Sequence, residues 1–284
     1  MPVPGLPPFR IKDLPNVSTD NSDTLYQLVA DMTNVTRTSS GLIYNSFDPI
    51  EEKALDKIRQ YMGQVPFFPI GPLHKFTSGS STSLLPHDRS CIEWLDKQAA
   101  GSVVYVSFGS LAAIEQRDFV EIAWGLANSG QPFLWVVRPG SVRGWTWVEM
   151  PDGFDEGRGQ IIKWAPQQQI LAHPSVGGFW THNGWNSTVE SICEGVPMIC
   201  WPCFGDQKVN ARLVSHVLKV GVQLENDLER EKIELAIRRL MVEEEGEEMR
   251  KRIKNLKEKS DRCFREGGSS YESLDRLVAW IKSL

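Results

Sequence analysis

From Ser90 onward the chain alternates short apolar runs with helical segments, and that alternation restricts the fold more than any other feature. Val103-Val104-Tyr105-Val106-Ser107-Phe108 reads as an apolar strand ending in Gly109-Ser110. A helix over Gln116 to Ala127 follows, with Phe119, Ile122, Ala123 and Leu126 at helical spacing. Next come a strand over Phe133 to Val137, the pair Ile161-Ile162 leading into Trp164, and a short helix from Gln167 to Ala172. The pattern then repeats: strand Val176 to Trp180, helix Ser187 to Cys193, strand Pro197 to Trp201, helix Gln207 to Leu218, strand Gly221 to Leu224. Strands that are apolar almost throughout, each separated by a helix, predict an α/β fold: a doubly wound parallel sheet buried on both faces.

Three helices close the chain, over Glu229 to Met241, Glu247 to Phe264 and Tyr271 to Leu284. The last carries Leu274, Leu277, Val278, Ile281 and Leu284, read as one apolar stripe to be buried. Before Ser90 the pattern is looser. Pro and Gly keep Met1 to Pro15 extended. A short helix is expected over Asp23 to Val35 and a strand over Gly41 to Phe47. Asp48-Pro49 opens a helix to about Met62, with Pro49 in the tolerated first turn. His74 to Arg89, rich in Ser, Thr and Gly, reads as a linker.

A net charge of −5 gives no global field for nucleic acid or an anionic membrane. No apolar stretch approaches the ~18 residues of a membrane span. Met1 to Pro8 has neither the basic leader nor the apolar core of a signal peptide. Five cysteines, odd in number and irregularly spaced, fit a reducing cytosol. The one Cys-x-x-Cys, at Cys200 and Cys203, lacks both the second pair of a zinc site and the following helix of a redox motif. The glycosylation triplets at Asn16, Asn34 and Asn186 are read as chance matches.

The chemistry concentrates between Trp164 and Gln207. Trp164-Ala165-Pro166-Gln167 comes first, then Thr181-His182-Asn183-Gly184-Trp185-Asn186-Ser187-Thr188, then Glu190, then Asp206-Gln207. A strand ends near Thr181, and the turn His182-Asn183-Gly184 leads into a helix. Ligands of such sheets bind at the carboxyl ends of the strands. A helix start offers free N–H groups and about half a positive charge, which suits a diphosphate. Gly184 admits close backbone approach, and His182, Asn186 and Ser187 add donors worth ~1.5–3 kcal/mol each where charge-assisted. Simpler readings stand beside these. Ser187-x-x-Glu190 also fits a capping box, Asp206 a helix N-cap, Trp164 a core aromatic, and Gly109-Ser110 an ordinary turn. No P-loop, Gly-x-Gly-x-x-Gly, Gly-x-Ser-x-Gly or Asp-x-Asp motif offers another chemistry.

Taken together, the run resembles the signature box of the plant family 1 UDP-glycosyltransferases. Gly267-Gly268-Ser269-Ser270-Tyr271-Glu272-Ser273-Leu274 and Arg138-Pro139-Gly140 are similar to the branch that includes steviol, cytokinin and benzoxazinoid glucosyltransferases. The resemblance implies a Rossmann-like domain of the GT-B type. It also implies that Trp164 stacks on uracil, worth ~1–3 kcal/mol, with Ala165 and Gln167 beside the base and ribose. Glu190 would hold the ribose hydroxyls, and Ser110, His182, Gly184, Asn186 and Ser187 the diphosphate. Trp185, Asp206 and Gln207 would bind the sugar, the Gln favouring glucose. No metal and no cofactor are expected: UDP-glucose is the donor, and the acceptor is a small lipophilic phenolic, terpenoid, cytokinin or benzoxazinoid. The location is expected to be cytoplasmic.

By the same resemblance, residues 1–73 correspond to the end of an N-terminal acceptor domain, 74–89 to a linker, 90–266 to the UDP-sugar domain, and 267–284 to a helix returning to the first domain. The family's general base, a His, would precede this chain. His74, His87, His173 and His216 offer no replacement, so no catalytic residue is expected here. The expected activity is inverting glucosyl transfer, with the chain as donor-binding half. Alternatives are a non-catalytic UDP-sugar binding fragment or subunit, and a truncated product without function.

Overall fold

The structure is a computed structural model that describes residues 1–15, 22–76, 88–145, 149–225 and 227–284. The chain divides into two compact units, Asn16–Gly79 with Asn255–Leu284, and Met1–Pro15 with Ser80–Lys254. Residues 1–15 side with the larger unit, and the later boundary lies inside a helix. Most of the expected linker, 77–87 including His87, lies outside the described residues.

The smaller unit opens with α1 (Ser22–Thr38), β1 (Leu42–Tyr44), α2 (Asp48–Met62) and β2 (Phe67–Pro69). Pro49 sits in the first turn of α2, and Gly63 at φ +61 ends it. β1 and β2 pair in parallel, Ile43 opposite Phe68.

The larger unit runs α3 (Ser90–Leu95), β3 (Val103–Ser107), α4 (Gln116–Ser129), β4 (Phe133–Val136), β5 (Gly159–Ile162), α5 (Gln167–Leu171), β6 (Val176–Thr181), α6 (Trp185–Glu194), β7 (Met198–Cys200), α7 (Gln207–Arg212), β8 (Gly221–Gln223) and α8 (Arg230–Met241). α9 (Glu244–Cys263) belongs to it as far as Lys254, and α10 (Ser269–Lys282) completes the smaller unit. Six strands form one parallel sheet in the order β5-β4-β3-β6-β7-β8. Every residue of β3 and β6 is buried, as their continuous apolar runs require. On one face Phe119, Ile122, Ile233, Ile237 and Leu240 from α4 and α8 pack on Val104, Val106, Trp135 and Trp180. A methyl at Gly125 would lie 2.6 Å from Ile233, so glycine there lets α4 and α8 approach.

Strand order places β3 at the reversal point. The chain moves outward from β3 to β4 and β5, then crosses to β6 on the other side of β3. The helices that follow β3 and β6 therefore diverge, leaving a crevice at the strands' carboxyl ends, where Ser107 pairs with Thr181.

Three details differ from the sequence reading. β5 is a strand at the sheet edge, half-exposed over most of its length, so its residues never form a sustained apolar run. The helix expected to Leu218 changes at Arg212 into a single π-helical turn, Leu213–Val217. It ends there because Lys219 takes φ +54 and the Val220 N–H reaches the Val214 carbonyl. In α10 the buried stripe is Ser270, Ser273 and Leu277, packed with Leu274 and Trp280 against Phe68 and Ile70 of the smaller unit. Val278 and Ile281 are 41% and 53% exposed, and Leu284 is exposed. At 100° per residue the expected set spans two neighbouring stripes, and the serines mark the one that meets β2 closely.

Met1–Pro15 is fixed to the larger unit by charge. Arg10 bridges Asp13 at 2.7 Å and Glu225 at 2.8 Å, and Arg212 Nε donates to the Pro8 carbonyl at 3.1 Å. Burial raises the pKa of Asp13, but the Arg10 hydrogen bonds outweigh it and hold the carboxyl below its ordinary value. None of the described helices is long and apolar enough to cross a membrane.

Candidate functional site

The crevice at the ends of β3 and β6 holds a cavity of about 320 Å³. β3 and the loop after it contribute Tyr105, Ser107, Gly109 and Ser110. The segment after β5 contributes Trp164, Ala165 and Gln167, and the β6–α6 turn contributes His182, Gly184, Trp185, Asn186 and Ser187. Val136 closes the β4 side. Residues far apart in sequence meet because β3 and β6 are neighbours. The volume is at the lower end of the range for small-molecule sites.

The turn after β6 is built around His182. Asn183 takes φ +59, a conformation Asn tolerates, and its N–H donates to Thr181 Oγ1 at 3.1 Å. Gly184 then occupies the N-cap of α6, with no side chain capping the helix. The first turn bond runs from the Thr188 N–H to the Gly184 carbonyl, and the three residues ahead of it, Trp185, Asn186 and Ser187, line the cavity. The imidazole lies between two glycines. A methyl at Gly109 would sit 2.5 Å from His182 Nε2, and one at Gly184 2.6 Å from the same atom. Gly109 also has φ +78, so it answers both a conformational and a steric demand. Burial pushes the His182 pKa down to about 4, partly offset by the nearby Asp206 charge. At neutral pH His182 is therefore a neutral hydrogen-bonding group, and the positive potential comes from the helix start.

A polar network lines the other wall. Gln167 Nε2 donates to Ser187 Oγ at 2.9 Å and to Glu190 Oε2 at 2.7 Å. Gln168 Nε2 donates to Glu190 Oε1 at 3.1 Å, and Tyr105 Oη donates to Gln167 Oε1 at 3.3 Å. Desolvation raises the Tyr105 pKa, so its phenol stays protonated. The capping box fails here because α6 begins at Trp185: Ser187 lies inside the first turn, and both it and Glu190 bind glutamine amides instead.

The family model described as UDP-glucoronosyl and UDP-glucosyl transferase matches residues 53–282. The chain belongs to this UDP-glycosyltransferase family. It is 52% identical to UDP-glycosyltransferase 76B1 of Arabidopsis thaliana, over 99% of this chain and 64% of that protein. It is 53% identical to UDP-glycosyltransferase 76G1 of Stevia rebaudiana, over 99% of this chain and 61% of that protein. The structure of Phytolacca americana UGT2 complexed with UDP-2fluoro-glucose and pterostilbene superimposes with a TM-score of 0.83 at 34% identity, covering 94% of this chain and 60% of that one. TcCGT1 in complex with UDP gives 0.86 at 31% identity, covering 100% and 65%. The chain thus spans less than two thirds of these relatives. The α/β fold with parallel sheets matches these glycosyltransferase structures.

In this UDP-glycosyltransferase chain, Ser110, Trp164, Ala165, Gln167, His182, Gly184, Trp185, Asn186 and Ser187 share one cavity. Glu190 joins them through Gln167. Asp206 and Gln207 lie beyond the cavity lining. Asp206 stands at the N-cap of α7 without capping it; its Oδ2 accepts from Asn210 Nδ2, which also holds the Asn183 carbonyl. Gln207 is 3% exposed, and its Oε1 accepts the N–H groups of Cys203 and Phe204. His173 is held by Ser175 and Asp96 before β6 begins, at the other end of that strand from the cavity. His216 lies against Arg212 and Ser215. Tyr105, Ser107 and Val136 are lining residues that the sequence does not single out. Tyr105 and Ser107 occupy alternate positions along β3 and so share one face of it, which the unbroken burial of that strand leaves unmarked in the sequence.

Proposed function

We propose that this chain binds UDP-glucose in the cavity between β3 and β6 and forms the donor side of an inverting glucosyltransferase. The carrying observation is the His182 imidazole between Gly109 and Gly184, at the start of α6. The diphosphate lies there, on the N–H groups of α6 and the hydroxyls of Ser110 and Ser187. Uracil stacks on Trp164 beside Ala165 and Gln167. The ribose hydroxyls take the place of the glutamine amides on Glu190. Trp185 faces the glucose; Asp206 and Gln207 lie beyond the cavity lining and reach the sugar hydroxyls by exchanging their bonds to Asn210 and to the Cys203 and Phe204 N–H groups. In the transfer step an acceptor oxygen attacks the anomeric carbon, the bond to the diphosphate oxygen breaks with inversion, and the acceptor proton passes to a base. The leaving charge is met by the helix start and His182, with no metal required.

The acceptor is a small lipophilic hydroxyl compound. A relative named flavonol 3-O-glucosyltransferase and the pterostilbene complex support that class. The five free cysteines fit a cytoplasmic setting. His182 is the one imidazole lining the cavity among the described residues, and it is committed to the diphosphate. The chain by itself therefore holds the donor and transfers slowly, lacking about 10²–10⁴-fold from a general base.

Calorimetric titration with UDP-glucose, beside Trp164→Ala, tests this reading. Saturable binding that the variant loses is expected. A folded protein that shows no binding would overturn it, and rapid glucosylation of a small phenol by the chain alone would overturn the donor-side assignment.

A further inference from the structure

The loop after β3 brings Gly109 and Ser110 to the cavity, and its outer side rests on one arginine. Arg138 lies just past the carboxyl end of β4, the strand beside β3. Its Nε donates to the Gly109 carbonyl at 3.3 Å, and its Nη2 donates to the Ala112 carbonyl. No carboxylate pairs with it among the described residues. A half-buried guanidinium without a counter-charge is costly unless it serves the groups it touches.

What it touches sets the direction of the loop's amides. The Gly109–Ser110 peptide is trans, so its carbonyl and its N–H point to opposite sides. With the Gly109 oxygen turned to Arg138, the Ser110 N–H is turned away from it, and Ser110 lines the cavity. That N–H meets no protein acceptor among the described residues. The same anchor holds Gly109 against the His182 ring, where a single methyl would already clash.

We propose that Arg138 is a positioning residue for diphosphate binding: its planar fork holds the carbonyls of Gly109 and Ala112 so that the loop presents N–H donors to the cavity. The assignment rests on reading the cavity as a UDP site. It predicts that Arg138 matters to the phosphates and not to the nucleoside.

The test compares UDP with uridine in the full chain. Affinities for both are measured by calorimetry, direct for UDP and by displacement for uridine, in the wild type, Arg138→Met and Arg138→Lys. Arg138→Met keeps the packing volume and removes every donor. It is expected to bind UDP about tenfold more weakly, the equivalent of one lost bond to a charged group, with uridine affinity unchanged. Arg138→Lys keeps the charge but cannot bridge two carbonyls in a fixed plane; it is expected to recover little of the loss. Equal losses for both ligands would overturn the proposal, as general damage. So would undiminished UDP binding in Arg138→Met, or full recovery in Arg138→Lys, which would make the charge alone responsible. Should Arg138→Met not fold, Arg138→Lys carries the same UDP-to-uridine comparison. A wild type that binds no UDP would fell the UDP reading itself, before any variant is considered.

Discussion

A methyl group added at Gly109 tests the site more directly than removal of any side chain. The new carbon would lie 2.5 Å from His182 Nε2 and 2.6 Å from Cε1, and Gly109 sits at φ +78. The backbone strain alone costs roughly 1–2 kcal/mol in a left-handed conformation. The clash is relieved more cheaply, because the atoms it meets are at the far end of a ring that can swing aside. Gly109→Ala should therefore lower stability by about 1–2 kcal/mol, a fall in Tm of roughly 2–8 °C for a unit of this size. Its larger effect should be on ligand. A displaced imidazole forfeits one hydrogen bond to the diphosphate, weakening UDP roughly 10- to 100-fold.

Gly184→Ala separates the two effects. Its methyl would lie 2.6 Å from the same Nε2, but Gly184 has φ −56 and ψ 143, which any residue adopts. This variant should lose UDP affinity to a similar degree with little change in Tm. Differential scanning calorimetry and UDP titration on the two variants and the wild type give the answer. If Gly109→Ala binds UDP as tightly as the wild type, His182 is not a phosphate ligand. If Gly184→Ala is the less stable of the two, the strain assigned to Gly109 is wrong.

Other perturbations report on other parts of the molecule. His182 has a folded pKa of about 4 against an ordinary 6.5, so the unfolded chain binds the extra proton between those values. Its stabilising contribution is full above pH 6.5 and declines as pH falls toward 4, by about 2 kcal/mol at pH 5; denaturant melts across that range should lose this slope in His182→Gln. A bound diphosphate favours the protonated ring, so affinity for UDP-glucose should rise as pH falls from 7 to 5, and a flat profile would detach His182 from the phosphates. Leu277→Ala should cost about 2–5 kcal/mol and Ile281→Ala close to none, by denaturant unfolding, since of these two only Leu277 packs against β2; equal effects would restore the broader stripe. Asp13→Asn, leaving Arg10 and Arg212 without their shared carboxylate, should cost roughly 3 kcal/mol, and limited proteolysis should then cut near residue 15 first.

The βα alternation was legible because a strand buried on both faces must be apolar throughout, and the sequence after Ser90 has few other uses for such runs. The same property hid Tyr105 and Ser107. A strand covered on both sides shows no alternation, so nothing marked which of its residues faced the crevice until its neighbour was known. β5 was obscure for the opposite reason: an edge strand needs little apolar surface. In the last helix, Leu274, Leu277, Val278, Ile281 and Leu284 fit more than one face. What decided between them was the pair of serines, which periodicity scoring counts as polar and which close packing against β2 requires to be small.

The site shows the same division between residue type and environment. The sequence marks His182 and Gly184 as neighbours and reads the histidine as a donor to phosphate at a helix start, which leaves its charge open. Closure of the turn puts the ring against Gly109, a residue of another strand's loop, and buries it enough that it is neutral at pH 7. On the proposed reading, the charge that draws a diphosphate then comes from backbone, from α6 and the loop after β3. Such a site does not have to hold a buried cation in the absence of ligand, and it can take up a proton when the anion arrives. Glycine at 109 and 184 is the condition for that arrangement, which is why their substitution, rather than that of His182 alone, distinguishes a backbone anion site from a simple charged one.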